Sequence, residues 1–162
     1  MSVLTSPAPA VAARPTARAE GYQPVLDAAA LNAFMARAFP HGPREHLARV
    51  DQVAPGEVLL SREPGLEHLR PGGIVSGPTL MALADAAAYV AVLAHVGEVA
   101  MAVTSALNYQ FLQACPQETV RARASLIKLG RRQAVVDVRL FVDSLRHDVG
   151  QAVVTYAIPA AA

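Results

Sequence analysis

The sequence predicts an α+β domain in which one long apolar helix is covered by antiparallel strands. The first observation is the stretch from Ile74 to Val96, which is almost unbrokenly apolar and carries Pro78 near its start and Gly97 just past its end. A helix apolar on every side is normally buried all round. The second is the alternation that begins at Met101, where large apolar residues are separated by small or polar ones at period two, the pattern of a strand with one buried face. The third is size: 162 residues suffice for one domain with a real core and are too few for two comfortable ones.

Each element can be read in order. Residues 1–20 are rich in Ala, Pro and Thr, carry Arg14 and Arg18, and have no continuous apolar run. They read as a disordered leader rather than a signal peptide, ahead of a domain spanning 21–162. Asp27 to Phe39 is made of strong helix formers with an acidic cap candidate in front, and Pro40 and Gly42 stop it. Two short strands are expected around Leu47–Ala54 and Glu57–Arg62, split by the Pro55-Gly56 turn. A loop from Glu63 to Gly77, with Pro64, Gly65, Pro71, Gly72 and Gly73, leads to the long helix from Pro78 to about His95. Proline suits a first helical position because the N–H it lacks would have no helical partner there.

Four strands follow. In the first, Met101, Val103, Leu107, Tyr109 and Phe111 share one expected face, and Ala102, Thr104, Ala106, Asn108 and Gln110 the other. Thr119–Leu129 forms the second, turned by Gly130-Arg131-Arg132. Gln133–Val142 forms the third, with Ala134, Val136, Val138, Leu140 and Val142 on one face. Val149–Ile158 forms the fourth, ended by Pro159. A meander of this kind against a buried helix is an α+β arrangement.

Composition narrows the function classes. Hydrophobic residues make up 53% and charged residues 17%, which is globular, and 14 basic against 13 acidic residues leave a net charge of +1. No basic field points to nucleic acid and no Lys/Arg tract to a membrane surface. Pro78 and Asp85 argue against reading the apolar stretch as a membrane span, since a carboxylate in mid-span is costly; a cytoplasmic location is the expectation. Cys115 is the single cysteine, so no internal disulfide is possible, and it reads as an inert thiol. The histidines His41, His46, His68, His95 and His147 show no metal-binding spacing, and no metal or cofactor is expected.

Asp85 stands out. Its helical neighbours are Met81, Ala82, Ala88 and Tyr89, and no Lys or Arg occurs between Arg70 and Arg121, so no local salt bridge can form. An ionised carboxylate buried without a partner costs several kcal/mol. A hydrogen-bond network, a solvated cleft or a neighbouring chain must offset that. Asp85 is thus either a buried aspartate satisfied by backbone N–H groups or hydroxyls, or a general base or nucleophile in a partly dry pocket.

The stretch Ser76-Gly77-Pro78-Thr79-Leu80-Met81-Ala82-Leu83-Ala84-Asp85-Ala86-Ala87 resembles the signature of hotdog-fold acyl-CoA thioesterases of the phenylacetate-degradation (PaaI) type: His-Gly-Gly, apolar residues, then Leu-Ala-Asp. The resemblance continues through Leu107-Asn108-Tyr109-Gln110-Phe111-Leu112, Lys128-Leu129-Gly130-Arg131-Arg132, Ala134-Val135-Val136-Asp137-Val138 and Ala152-Val153-Val154-Thr155-Tyr156, covering roughly Leu47 to Pro159. It implies a hotdog fold, a long helix wrapped by a curved antiparallel sheet, with two subunits paired edge to edge and active sites at their interface. It implies hydrolysis of acyl-CoA to free acid and CoA, with Asp85 as general base or nucleophile and the Gly77 N–H as oxyanion donor, a role suited to a helix N-terminus. Thr104 is the position where some relatives carry an assisting hydroxyl, although β-branched strand filler is the plainer account of it; Asn108 reads as securing the sheet or dimer.

Ser76 replaces the family histidine and is expected to cap the helix or bind substrate. The Asn or Gln that some relatives place upstream would fall near Arg70 and is absent. Arg131 and Arg132 read either as a solvated basic turn or, together with Lys128, as partners of the CoA phosphates, and Tyr89 and Tyr109 are candidates for the acyl pocket or the core. A hydratase of the same fold, which would need an Asp and a His closely spaced in a polar loop, is not the favoured reading. The alternative to a hydrolase is a non-catalytic acyl-CoA-binding protein. In either case a homodimer or homotetramer is expected, because an open sheet edge favours covering.

Overall fold

The computed structural model describes residues 21–40 and 48–160. The expected leader, His41, His46 and the proposed strand start at Leu47 lie outside the described residues.

Helix α1 (Ala28–Ala38) begins where Asp27 accepts a hydrogen bond from the Ala30 N–H at 2.8 Å, satisfying one of the unpaired donors of the first turn. It packs on β1 (Arg49–Ala54), to which Asn32 is bound twice: its Nδ2 donates to Val50 O and its Oδ1 accepts from Val50 N. Strand β2 (Glu57–Arg62) follows through a turn that holds Gly56 at φ 68, a conformation that glycine adopts at no steric cost. The expected loop from Glu63 is partly structured. A 3-10 turn at Leu66–His68 leads into a two-stranded ribbon, β3 (Leu69–Arg70) with β4 (Ile74–Val75), whose turn uses the positive φ of Gly72 and Gly73. Such short pieces carry too little periodicity to be read from sequence.

Helix α2 (Gly77–Val96) is the centre of the fold. It starts one residue before the expected Pro78, so proline occupies the second helical position. Strands β5 (Val103–Phe111), β6 (Val120–Leu129), β7 (Gln133–Phe141) and β8 (Gly150–Ala157) join the first two in a six-stranded antiparallel sheet of order β1-β2-β6-β7-β8-β5. The helix lies against β2, β5, β6, β7 and β8. Small residues at the contact, Ala87, Ala88, Ala91 and Ala94 on the helix and Ala122, Ala124, Ala134 and Ala152 on the sheet, are all fully buried, which lets helix and sheet approach closely. Among the described residues α2 is the one helix long and apolar enough to cross a membrane, and most of it is buried inside this fold.

Two expectations are corrected. The helix is not buried all round: Pro78, Met81 and Ala82 are exposed and Asp85 and Ala86 half-buried, forming an open stripe along its first half. Nor does β5 keep one alternation throughout. Its register against β8 shifts between Thr104 and Ala106, so Ser105 is the extra residue of a β-bulge. Side chains before and after a bulge exchange faces. Thr104, opposite Tyr156, therefore points inward with Leu107 and Tyr109, whereas Val103 and Asn108 point outward. Thr104 and Asn108 do not share a face, and Val103 does not belong with Leu107.

Candidate active site

The open stripe of α2 places the half-buried Asp85 in the lining of a cavity of about 450 Å³. Its walls come from four elements: Met35 of α1 with the adjoining Phe39, Ala82, Ala86 and Tyr89 of α2, Val103 and Thr104 of β5, and Tyr156 of β8. Apart from Asp85 and three hydroxyl groups these walls are apolar. The cavity is a compact greasy slot with one carboxylate.

That carboxylate has partners that sequence spacing does not reveal. Thr104 Oγ1 donates to Asp85 Oδ1 at 2.5 Å, and Tyr156 Oη donates to the same oxygen at 2.8 Å. The Tyr156 hydroxyl also lies 3.2 Å from the main-chain O of Asp85. Burial pushes the Tyr156 phenol well above its ordinary range, so it stays protonated and serves as a donor. Two hydroxyls therefore converge on Oδ1, while no described group donates to Oδ2. The isolation seen along the helix is resolved across the sheet, by residues from β5 and β8.

The aromatic residues stack in sequence away from the carboxylate. The Tyr156 ring stacks on Tyr89 at 5.7 Å, Tyr89 meets Phe39 edge-on at 6.3 Å, and the Tyr89 hydroxyl donates to Ala100 O at 3.1 Å. Of the two tyrosines considered for an acyl pocket, Tyr89 lines this cavity. Tyr109 does not: it packs against Phe111 at 4.4 Å on the inner sheet face, with its hydroxyl buried and without a hydrogen-bond partner.

Gly77 lies elsewhere. It is the first residue of α2, its N–H donates to no described group, and it lines a second groove of about 430 Å³ with Arg70, Ile74, Leu80, Phe111 and Cys115. A side chain at this position would press on the Phe111 ring, 3.2 Å from an ideal Cβ. Gly77 and Asp85 are eight residues apart, or about 12 Å along the helix axis at 1.5 Å per residue. They open into different grooves of one chain.

Ser76 occupies the N-cap position, but its side chain does not cap the helix backbone. Its Oγ instead bonds the Thr79 hydroxyl at 2.8 Å. Arg131 and Arg132 are exposed in the β6–β7 turn and pair with no described carboxylate; Lys128 beside them is exposed as well. This turn is at the same end of the sheet as the site, because Ala134, Tyr156 and Thr104 lie side by side across β7, β8 and β5. Cys115 is buried and its thiol is pushed up to about 11 by burial, with Glu118 adding to the shift, so it is unreactive. Among the described residues no cluster of three His, Cys, Asp or Glu side chains offers a metal site. A larger groove of about 980 Å³ beside β1 and β2, walled by Arg49, Asp51, Arg62 and Arg121 among others, brings together none of these site residues.

Comparison with known proteins points in one direction. Residues 72–147 match the model of the thioesterase superfamily. A protein from Silicibacter sp. TM1040 described as a thioesterase is 37% identical in sequence; the match covers 86% of this chain and 96% of that one, with a TM-score of 0.77. A mutant of the phenylacetic acid degradation protein PaaI from Thermus thermophilus is 26% identical over 69% of this chain and 93% of its own, with a TM-score of 0.60. Zebrafish thioesterase superfamily member 2 shares the fold at a TM-score of 0.72 and 20% identity, covering 83% of this chain and 99% of its own. No curated protein matches the sequence.

Proposed function

The chain belongs to the thioesterase superfamily, with a hotdog fold, and from that premise we propose that it hydrolyses acyl-coenzyme A thioesters to the free acid and coenzyme A. The observation that carries this reading is the state of Asp85: one carboxylate oxygen is held by two hydroxyls, no described group donates to the other, and the side chain lines a largely apolar cavity. A carboxylate so oriented is ready to act either way. As a general base, Oδ2 takes a proton from water while the water oxygen bonds to the thioester carbon; the C–S bond then breaks and the leaving thiolate takes up the proton. As a nucleophile, Oδ2 bonds to that carbon itself, thiolate leaves, and water opens the resulting anhydride.

In both routes charge builds on the carbonyl oxygen, and an unpaired N–H at a helix N-terminus suits it. Gly77 has that donor. The separation of about 12 Å along one helix supports a reading in which the Gly77 and Asp85 serving one substrate come from two subunits. The support for such pairing is β5, an edge strand whose outer side has no partner among the described residues and whose ends carry Val103 and Phe111, more than half exposed. Arg131, Arg132 and Lys128 supply cations at the same end of the sheet for the phosphates of coenzyme A. Coenzyme A enters as part of the substrate, and no further cofactor is invoked.

The test is coenzyme A release from a panel of small acyl-CoA substrates by the parent and by Asp85→Asn. Turnover that falls about a hundredfold or more in the variant, with the fold intact by circular dichroism, is the expected result. Saturable acyl-CoA binding without turnover would make the protein a binder. Equal turnover in both proteins would assign the chemistry to another residue.

A further inference from the structure

We propose that Tyr156 is a positioning residue for Asp85: with Thr104 it occupies Oδ1 and turns the carboxylate so that Oδ2 alone meets the substrate. The inference rests on the thioesterase reading above and deepens it. Asp85 sits on a helix stripe flanked by Met81, Ala82 and Ala86, none of which can hold a carboxylate in one rotamer by hydrogen bonding. A short side chain on an open stripe would otherwise sample several orientations. Two donors at 2.5 and 2.8 Å on one oxygen remove that freedom, because both bonds can be made only with the carboxylate plane turned one way.

Tyr156 is the better fixed of the two donors. Its ring is buried, stacked on Tyr89 at 5.7 Å, and its hydroxyl is anchored a second time beside the main-chain O of Asp85. Thr104 by contrast is exposed and sits immediately before a bulge. The phenol thus ties the β8 strand to the helix turn that carries the carboxylate. A group held within a narrow angle of its productive geometry is worth more to the rate than its hydrogen bonds alone, since misplacement by an ångström has a large kinetic cost. Besides Asp85, the titratable groups lining the cavity are Tyr89 on the same helix and Tyr156 itself, both neutral near pH 7, so no other lining charge competes for the carboxylate.

The experiment compares the full chain with Tyr156→Phe, which keeps the stacked ring and removes only the hydroxyl. Initial rates on the best acyl-CoA of the panel are measured over a range of substrate concentrations, alongside thermal melts and the same substitution in an Asp85→Asn background. The expected kcat is about tenfold lower with KM within about twofold. In the Asp85→Asn background the substitution changes the residual rate by less than about twofold, since the two residues act as one unit.

An unchanged kcat in Tyr156→Phe, with Asp85→Asn still inactive, would overturn this proposal and leave the hydrolase standing. A fall in kcat that accompanies a large drop in melting temperature and a raised KM, and that persists in the Asp85→Asn background, would overturn it in favour of a purely structural tyrosine. A parent without turnover on any substrate would remove both readings together.

Discussion

Gly150 and Tyr109 show how much a single atom decides at the residue scale. Gly150 of β8 lies opposite Phe111 of β5, and the Tyr109 side chain reaches over it, so that an ideal Cβ built at Gly150 would overlap the Tyr109 hydroxyl and ring. The ring cannot swing away easily, because Phe111 packs against it at 4.4 Å. Gly150→Ala is therefore expected to destabilise the fold by about 1–3 kcal/mol, the range for overpacking, read as a lower urea midpoint with an unchanged slope. A midpoint equal to that of the parent would mean that Tyr109 repacks freely. Sequence alone marks Asp85 as anomalous but not what satisfies it: Thr104 and Tyr156 lie far from it along the chain and reach it only through sheet pairing. Tyr156, read from sequence as one residue of a closing strand, had no local signal that set it apart.

At the scale of elements, His95 joins the end of the long helix to the first hairpin. Its Nδ1–H donates to Ala91 O at 2.7 Å, and its Nε2 accepts from the Gly56 N–H at 2.9 Å in the β1–β2 turn. Burial holds the imidazole below its ordinary value of 6.5. The unfolded chain therefore binds this proton more readily than the folded one, so stability is greatest above the ordinary histidine range and falls as pH drops through it. Urea midpoints at pH 7.5 and 5.5 should show that fall in the parent, and the difference should shrink in His95→Gln, whose amide can still accept from Gly56 but does not titrate. An equal drop in both proteins would place the acid sensitivity elsewhere. The elements themselves were largely legible: α1, the β1–β2 hairpin and the four later strands lie within a few residues of their expected bounds. The β3–β4 ribbon was too short to announce itself, and the Ser105 bulge shifts alternation without changing composition.

The whole-molecule question is which chain completes a site. If Asp85 of one subunit works with Gly77 of its partner, then mixing two inactive variants must rescue activity. In a heterodimer of Asp85→Asn with Gly77→Pro, which removes the amide donor at the first helical position and whose fold is verified by circular dichroism because its ring presses on Phe111, one site carries both defects and the other carries none. Co-refolded equimolar chains should recover about a quarter of parental activity, since about half the dimers are mixed and each has one intact site of two. No recovery, with mixed dimers verified by mass spectrometry, would confine the site to a single subunit. The unpaired edge of β5 is where such pairing would begin.

By itself the sequence determined what local chemistry and periodicity can dictate. The all-apolar run made a core helix, alternation made strands, glycine and proline placed the turns, and Asp85 was identified as the one charge that did not belong on its helix. Only the tertiary structure decided which face of that helix stays open and which hydroxyls hold the carboxylate. It also separated Gly77 from Asp85 into different grooves. The reason is physical: a side chain's direction along a strand depends on every bulge before it, and contacts across a sheet join residues whose distance in sequence carries no periodic trace. One inserted residue, Ser105, turned Thr104 toward Asp85 and Asn108 away from it.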